Sequence, residues 1–206
     1  MKTEPTPSFG DDDELEVTQA SSEHGPGLLA LFDRCRHPCY CRYWHHEGNN
    51  NSWLEQLFQH EEENKTRMLE ALEGGSPEMS GMVALVGDSV VGWMKLAPAA
   101  SVAKVYAQKG LRALPCFNDA NRAGVYTVAC FLVDPAWREL GVARALLAEG
   151  IVCAQELGAS SIEAFPCTAA DIRPEQLLGG PPSIFVEAGF REVGKVANYP
   201  VMRLTF

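Results

Sequence analysis

Apolar positions recur along this chain with two different periods. Met82-Val-Ala-Leu-Val86 and Val90-Val-Gly-Trp-Met-Lys-Leu96 are β-prone runs separated by Gly87-Asp88, and that arrangement predicts a hairpin. Val125-Tyr-Thr-Val-Ala-Cys-Phe-Leu-Val133 predicts a longer strand. Beyond it the period lengthens, and Leu146, Leu147, Gly150, Ile151, Ala154 and Leu157 share one face of a helix suited to packing on a sheet. Residues 15–20 and 160–165 are short strand candidates, and residues 191–196 and 201–206 are closing strands. A short helix is expected at 27–35, carrying Leu28, Leu29, Leu31 and Phe32. Asn49-Asn-Asn-Ser52 is a helix-start signal before Trp53-Leu-Glu-Gln-Leu-Phe58, in a pattern that runs toward Leu72 and is interrupted at Glu61 to Glu63. Residues 99–115 read as a helix and loop ahead of the long strand, and 166–182 as a loop rich in Gly and Pro. Residues 183–190 read as a short helix whose Gly189-Phe190 ending permits a sharp exit.

Residues 14–206 are therefore expected to form one domain, preceded by a polar, acidic and loosely ordered segment at 1–13. A length of 206 residues with 46% hydrophobic and 21% charged residues agrees with one soluble core. No run approaches the roughly 18 to 20 continuous apolar residues of a membrane helix, and the first residues lack an apolar signal region. A cytoplasmic protein without membrane partners is expected. The net charge of −10 argues against nucleic acid as a partner and is compatible with cationic acceptors. Seven cysteines, an odd number without a secretion signal, point to reduced thiols.

The candidate chemistry begins where the long strand ends. Arg138, Gly141 and Ala143 give the pattern Arg-x-x-Gly-x-Ala between a strand and a helix. Small residues there let the backbone curl and aim several N–H groups at one spot, a geometry that binds phosphate oxygens. Neither a Walker loop nor a three-glycine dinucleotide fingerprint is present.

This loop, followed downstream by Gly189-Phe190, resembles the acetyl-CoA signature of the GNAT N-acetyltransferase superfamily. The resemblance implies an α/β fold with a mixed, mostly antiparallel central sheet flanked by helices, and a cofactor cleft between two splayed central strands. It implies acetyl-CoA as cosubstrate, with the pantetheine arm on backbone groups near Leu132 and Val133. The pyrophosphate would meet N–H groups of Glu139, Leu140, Gly141, Val142, Ala143 and Arg144, supported by the side chains of Arg138 and Arg144. The reaction implied is direct attack of an amine, on a small molecule or a peptide, upon the thioester carbonyl. A homodimer is common among such proteins.

Many GNAT enzymes place a proton-donating tyrosine in the short helix before Gly-Phe, and Phe185 stands at that cofactor-side position here. Phenylalanine has no proton to give. Either another group protonates sulfur, or backbone dipoles suffice, or the chain binds CoA without turnover. Glu163, on the strand after the glycine-loop helix, is the candidate base, because partial burial raises a carboxylate toward the useful range. Cys130, on the long strand, is the second catalytic candidate and otherwise a small core side chain.

Cys35, His37, Cys39, Cys41 and His45 all carry odd numbers, so an extended segment would aim them at one face. Zinc is the metal such a face would suit, but Pro38 disturbs extension and no Cys-x-x-Cys pair is present. No metal is expected, and reduced thiols near the acceptor pocket are the preferred reading. Cys39, Cys41, Tyr43 and Trp44 also resemble a Cys-x-Cys-x-x-aromatic segment of a bacterial GNAT subgroup whose substrate is unassigned.

Overall fold

Seven strands among the described residues join in one sheet in a computed structural model that describes residues 14–117, 122–171, 173 and 177–206. The segment expected to be loose at 1–13 lies outside the described residues. The strands are β1 (Leu15–Gln19), β2 (Gly81–Val86), β3 (Ser89–Pro98), β4 (Val125–Val133), β5 (Ser161–Ala164), β6 (Arg191–Val196) and β7 (Tyr199–Thr205), in the order β1-β2-β3-β4-β5-β7-β6. Every neighbouring pair is antiparallel except β4 and β5, so the sheet is mixed and mostly antiparallel, as expected.

Alternation along the central strands sends side chains to two cores. Met82, Ala84, Met94, Leu96, Val128 and Phe131 face helix α6 (Val142–Glu156), which contributes Leu146, Leu147 and Ala154. On the other face Val83, Trp93, Cys130 and Leu132 meet α1 (Gly25–Arg34) and α3 (Glu61–Glu73), which supply Leu28, Leu31, Phe32 and Met68. Full burial of each such side chain contributes about 1.5–3 kcal/mol, which fixes the strand register against one-residue slips.

The residues expected to form one interrupted helix form two. Asn49 caps α2 (Asn50–Gln59) by accepting the Ser52 N–H at 3.0 Å, and the chain breaks at His60 (φ −129, ψ 36) before α3 starts at Glu61. Three acidic residues then occupy the first turn of α3, where the helix dipole favours them. Residues 99–115 hold the short helices α4 (Ala103–Tyr106) and α5 (Lys109–Arg112), not one helix. Leu157 departs from its expected place, being 54% exposed beyond the last residue of α6, while Cys153 is buried with the α6 face.

Two irregularities prepare a cleft. A register shift opposite Lys95 and Leu96 leaves Ala129 as an extra residue in β4. The parallel partner β5 ends at Ala164, opposite Val128, whereas β4 runs on to Val133. Among the described residues, the last ones of β4 consequently have β3 on one edge and no strand on the other.

Candidate cofactor and active site

The open edge of β4 forms one wall of a cavity of about 480 Å³, through Phe131, Leu132 and Val133. The Phe131 N–H, which points across that edge, donates to the Leu178 carbonyl at 2.7 Å. Residues 177–184 thereby form the opposite wall, from which Leu177, Pro181 and Ile184 face the cavity.

At the end of β4 the chain is built to turn. Asp134 caps a short 3-10 turn (Pro135–Trp137) by accepting the Ala136 N–H at 3.0 Å, and Arg34 of α1 holds the same carboxylate at 2.5 Å. Glu139 (φ 63) and Gly141 (φ 88) both adopt left-handed backbone, and for Gly141 this is the conformation an L side chain resists. Gly141 is the N-cap of α6 and has no side chain to satisfy the first turn, whose earliest helical bond runs from the Ala145 N–H to the Gly141 carbonyl at 2.9 Å. The N–H groups of Val142, Ala143 and Arg144 thus have no carbonyl within the helix, and these three residues line the cavity. Free donors, the positive end of a 15-residue helix and an apolar wall suit an anion joined to an extended, weakly polar arm.

The side chains around this terminus divide the work. Arg138 lines the cavity, and its Nε donates to the Val133 carbonyl at 3.2 Å, tying the loop back to the strand. Arg144 forms a forked pair with Glu187 of α7 (Pro182–Glu187) at 2.7 and 2.9 Å, with both side chains more than half exposed. Such an exposed pair is weak and yields readily to a competing anion. Of the residues expected to meet the cofactor, Leu132, Val133, Arg138, Glu139, Gly141, Val142, Ala143 and Arg144 line one cavity.

Leu140 and Phe185 do not line it. Phe185 is fully buried, packed edge-on against Phe131 and Phe190 with ring centroids 6.1 and 5.3 Å away. Its ring belongs to the core because an aromatic without a hydroxyl has no polar tip to keep at the cavity surface. From this helix Ser183 and Ile184, and not Phe185, face the cavity.

The two expected catalytic residues lie outside the cavity wall. Glu163 is fully buried at the β5 edge, and its Oε1 accepts from Arg203 Nη2 at 2.5 Å, Arg203 Nε at 3.0 Å and Arg122 Nη1 at 3.2 Å. Glu163, expected as a base, thus stands in an ion cluster that joins β5, β7 and the lead-in to β4, away from the lining of the cavity. Its Oε2 has no hydrogen-bond partner. Tyr106 stands beside it, hydrogen-bonded to Thr127 at 2.7 Å; burial and then the Glu163 charge push its phenol far above the ordinary range.

Cys130 is buried on the α1 and α3 face beside Cys41, and its thiol donates to the Phe131 carbonyl at 3.8 Å. The neighbouring Cys130, then Lys95 and the Trp93 indole N–H at 3.4 Å, hold the Cys41 thiol below its ordinary range despite its burial, while Cys41 and then burial hold Cys130 well up. The pair is a buried thiol site behind the strand.

The segment expected to be extended is not. Arg36 (φ 55), Tyr40 (φ 40) and Cys41 (φ 59) take left-handed backbone, so the odd-numbered residues scatter. Cys35 donates to the Val133 carbonyl at 3.6 Å, with burial foremost in pushing its thiol up to about 11, and Trp44 Nε1 donates to the Ala129 carbonyl at 3.1 Å. Residues 35–44 therefore run beside the open half of β4, from Val133 back to Ala129. Among the described residues no group of three or more His, Cys, Asp or Glu side chains is placed to hold a metal ion. His45, neutral because burial and then Lys95 lower it to about 4, has a buried Nε2 without a hydrogen-bond partner.

Sequence reasoning missed His37, Trp137 and Ser183 as cavity residues. In the sequence His37 stands out only by sharing odd numbering with its neighbouring cysteines, and no periodicity distinguishes Ser183 from a helix-start serine.

Comparison with known proteins follows the same lines. Residues 40–173 match the family model described as the acetyltransferase (GNAT) family. Among curated proteins no significant match is found. Among solved structures, the chain resembles the PaiA N-acetyltransferase of Thermoplasma acidophilum in complex with coenzyme A, with 11% identity and a TM-score of 0.55 over 94% of this chain and 99% of that one. A GCN5-related N-acetyltransferase of Kribbella flavida gives 19% identity and a TM-score of 0.54 over 93% and 98%. An N-acetyltransferase of Staphylococcus aureus Mu50 gives 14% identity and a TM-score of 0.53 over the same shares.

Proposed function

The chain belongs to the GNAT acetyltransferase family, and from that premise we propose that it transfers an acetyl or other short acyl group from CoA to a primary amine of a small molecule or peptide. The observation that carries the reading is the uncapped start of α6, where Val142, Ala143 and Arg144 present unpaired N–H groups to the same cavity as the open edge of β4. The pyrophosphate of CoA suits the first feature, and the amide-bearing pantetheine arm suits the second. Arg144 then exchanges its exposed Glu187 partner for phosphate, and Arg138 braces the loop.

In the proposed reaction the amine nitrogen attacks the thioester carbonyl, its bond to carbon forms, and the carbon–sulfur bond breaks. The amine must be neutral to attack, so an acceptor that arrives as an ammonium first gives a proton to solvent or to a nearby base, and the attacking nitrogen loses one more as the amide forms. The chain's acidic balance favours a cationic acceptor at the encounter stage. Calorimetric titration with acetyl-CoA tests the binding half: saturation at micromolar concentrations is expected, and no heat at hundreds of micromolar removes the reading. A screen of amines that reports released CoA tests the transfer half.

A second reading is a CoA-binding module without turnover, and the burial of Phe185 at the usual donor position favours it. Tight acetyl-CoA binding with no CoA release on any amine class is the outcome that selects it.

A further inference from the structure

Phe185 has no hydroxyl and does not line the cavity, so a proton donor for the departing sulfur is to be sought among the residues that do. The segment at 35–44 crosses that region, anchored to Val133 by Cys35 and to Ala129 by Trp44. His37 lies between these anchors and lines the cavity together with Leu132 and Val133. Its backbone is fixed by a 3.0 Å bond from its N–H to the Phe32 carbonyl at the end of α1, so the side chain projects from a braced position.

The other lining groups suit the role less well. Glu139, Arg138 and Arg144 cluster at the start of α6, where the pyrophosphate is expected, and the guanidiniums do not release protons near neutral pH. Ser183 has a hydroxyl, but the described residues that line its own wall, Leu177, Leu178, Pro181 and Ile184, include no base to recharge it. An imidazole is the side chain whose ordinary titration range brackets neutral pH, which is the condition for giving a proton and regaining it in each cycle.

We propose that His37 protonates the CoA sulfur as it departs. The proposal rests on the acyl-transfer reading above. As the amine nitrogen bonds to the acetyl carbon, the electron pair of the carbon–sulfur bond passes to sulfur. The His37 imidazolium N–H then delivers a proton to that sulfur, giving CoA thiol and neutral imidazole. The proton lost by the amine returns to His37 through solvent, so the sum is amine plus acetyl-CoA giving amide plus CoA. The titratable and charged groups that share the cavity lining with His37 are Arg138, Glu139 and Arg144, the last paired with Glu187; Cys35 and Cys39 flank it in sequence. The β4 wall contributes Phe131, Leu132 and Val133, which carry no charge.

The experiment reads the bound CoA thiol directly and needs no acceptor. Thiolate absorbance of the complex with CoA is followed against pH, and the same titration with desulfo-CoA is subtracted to remove the protein. An imidazolium beside sulfur lowers the thiol pKa, so His37→Gln is expected to raise it by about one unit, a tenfold change in thiolate fraction, with CoA affinity kept within about threefold. In turnover on any active amine, His37→Gln is expected to lower kcat by roughly 100-fold with KM little changed and the alkaline limb of the kcat profile lost. Added imidazole is expected to rescue His37→Ala in part. An unchanged thiol titration in His37→Gln, or a shift seen in Ser183→Ala instead, overturns the assignment while leaving CoA binding intact. Failure of the native protein to bind CoA overturns the acyl-transfer reading itself, and the role of His37 with it.

Discussion

Replacing Glu163 with glutamine separates a structural carboxylate from a catalytic one. The substitution keeps the shape of a fully buried side chain and removes the charge that Arg203 and Arg122 share through one oxygen. Removing one partner of a buried ion pair costs about 3–5 kcal/mol. The two guanidiniums are 25% and 18% exposed, so water recovers part of that, and a loss of about 2–4 kcal/mol is expected. With a urea m-value of about 2 kcal/mol per molar, the unfolding midpoint should fall by roughly 1–2 M with m unchanged. A double-mutant cycle with Arg203→Gln should show a coupling of about 1–3 kcal/mol. A loss under about 1 kcal/mol for Glu163→Gln, with turnover abolished and no coupling to Arg203, would refute the ion-cluster account and restore Glu163 as a base.

Other consequences are as direct. Gly141→Ala has room for its methyl group but must hold φ at 88, so it should cost about 1–2 kcal/mol and weaken acetyl-CoA binding in calorimetry, because relief of the strain turns the first N–H groups away. Arg144→Ala should change thermal stability by less than about 0.5 kcal/mol, since its pair with Glu187 is exposed, yet reduce CoA affinity and flatten its salt dependence. His45 is lowered from 6.5 to about 4 in the fold, so below 6.5 the unfolded chain takes up a proton that the native chain refuses. The contribution of the neutral ring is fully present above 6.5 and is lost as pH falls toward 4; His45→Gln should flatten that part of the denaturation profile.

The sheet was legible because its strands are long apolar runs with turn residues between them, and the glycine loop because its small residues serve the backbone directly. The Asn49 cap was readable for the same local reason. What escaped the sequence depended on distant partners. The pairing of Glu163 with Arg203 arises from β5 lying against β7, across 40 positions of chain. Phe185 entered the core because Phe131 and Phe190 close around it, which no local pattern reveals. Residues 35–45 misled most: alternate numbering implied one face, and three left-handed residues sent Cys35 to Val133, His37 to the cavity and Cys41 to Cys130.

The parallel pairing of β4 with β5 also orders assembly in time. β4 and β5 can meet only after the whole of α6 has crossed between them, whereas β6 and β7 form from neighbouring sequence. β7 nevertheless needs the free edge of β5 to dock. The C-terminal hairpin is therefore a late arrival in folding, and with it comes Arg203, the countercharge of Glu163. A nascent chain that has emerged only as far as α7 holds the left-handed turn at the start of α6 but leaves one edge of β5 uncovered, a vulnerable interval for aggregation or proteolysis.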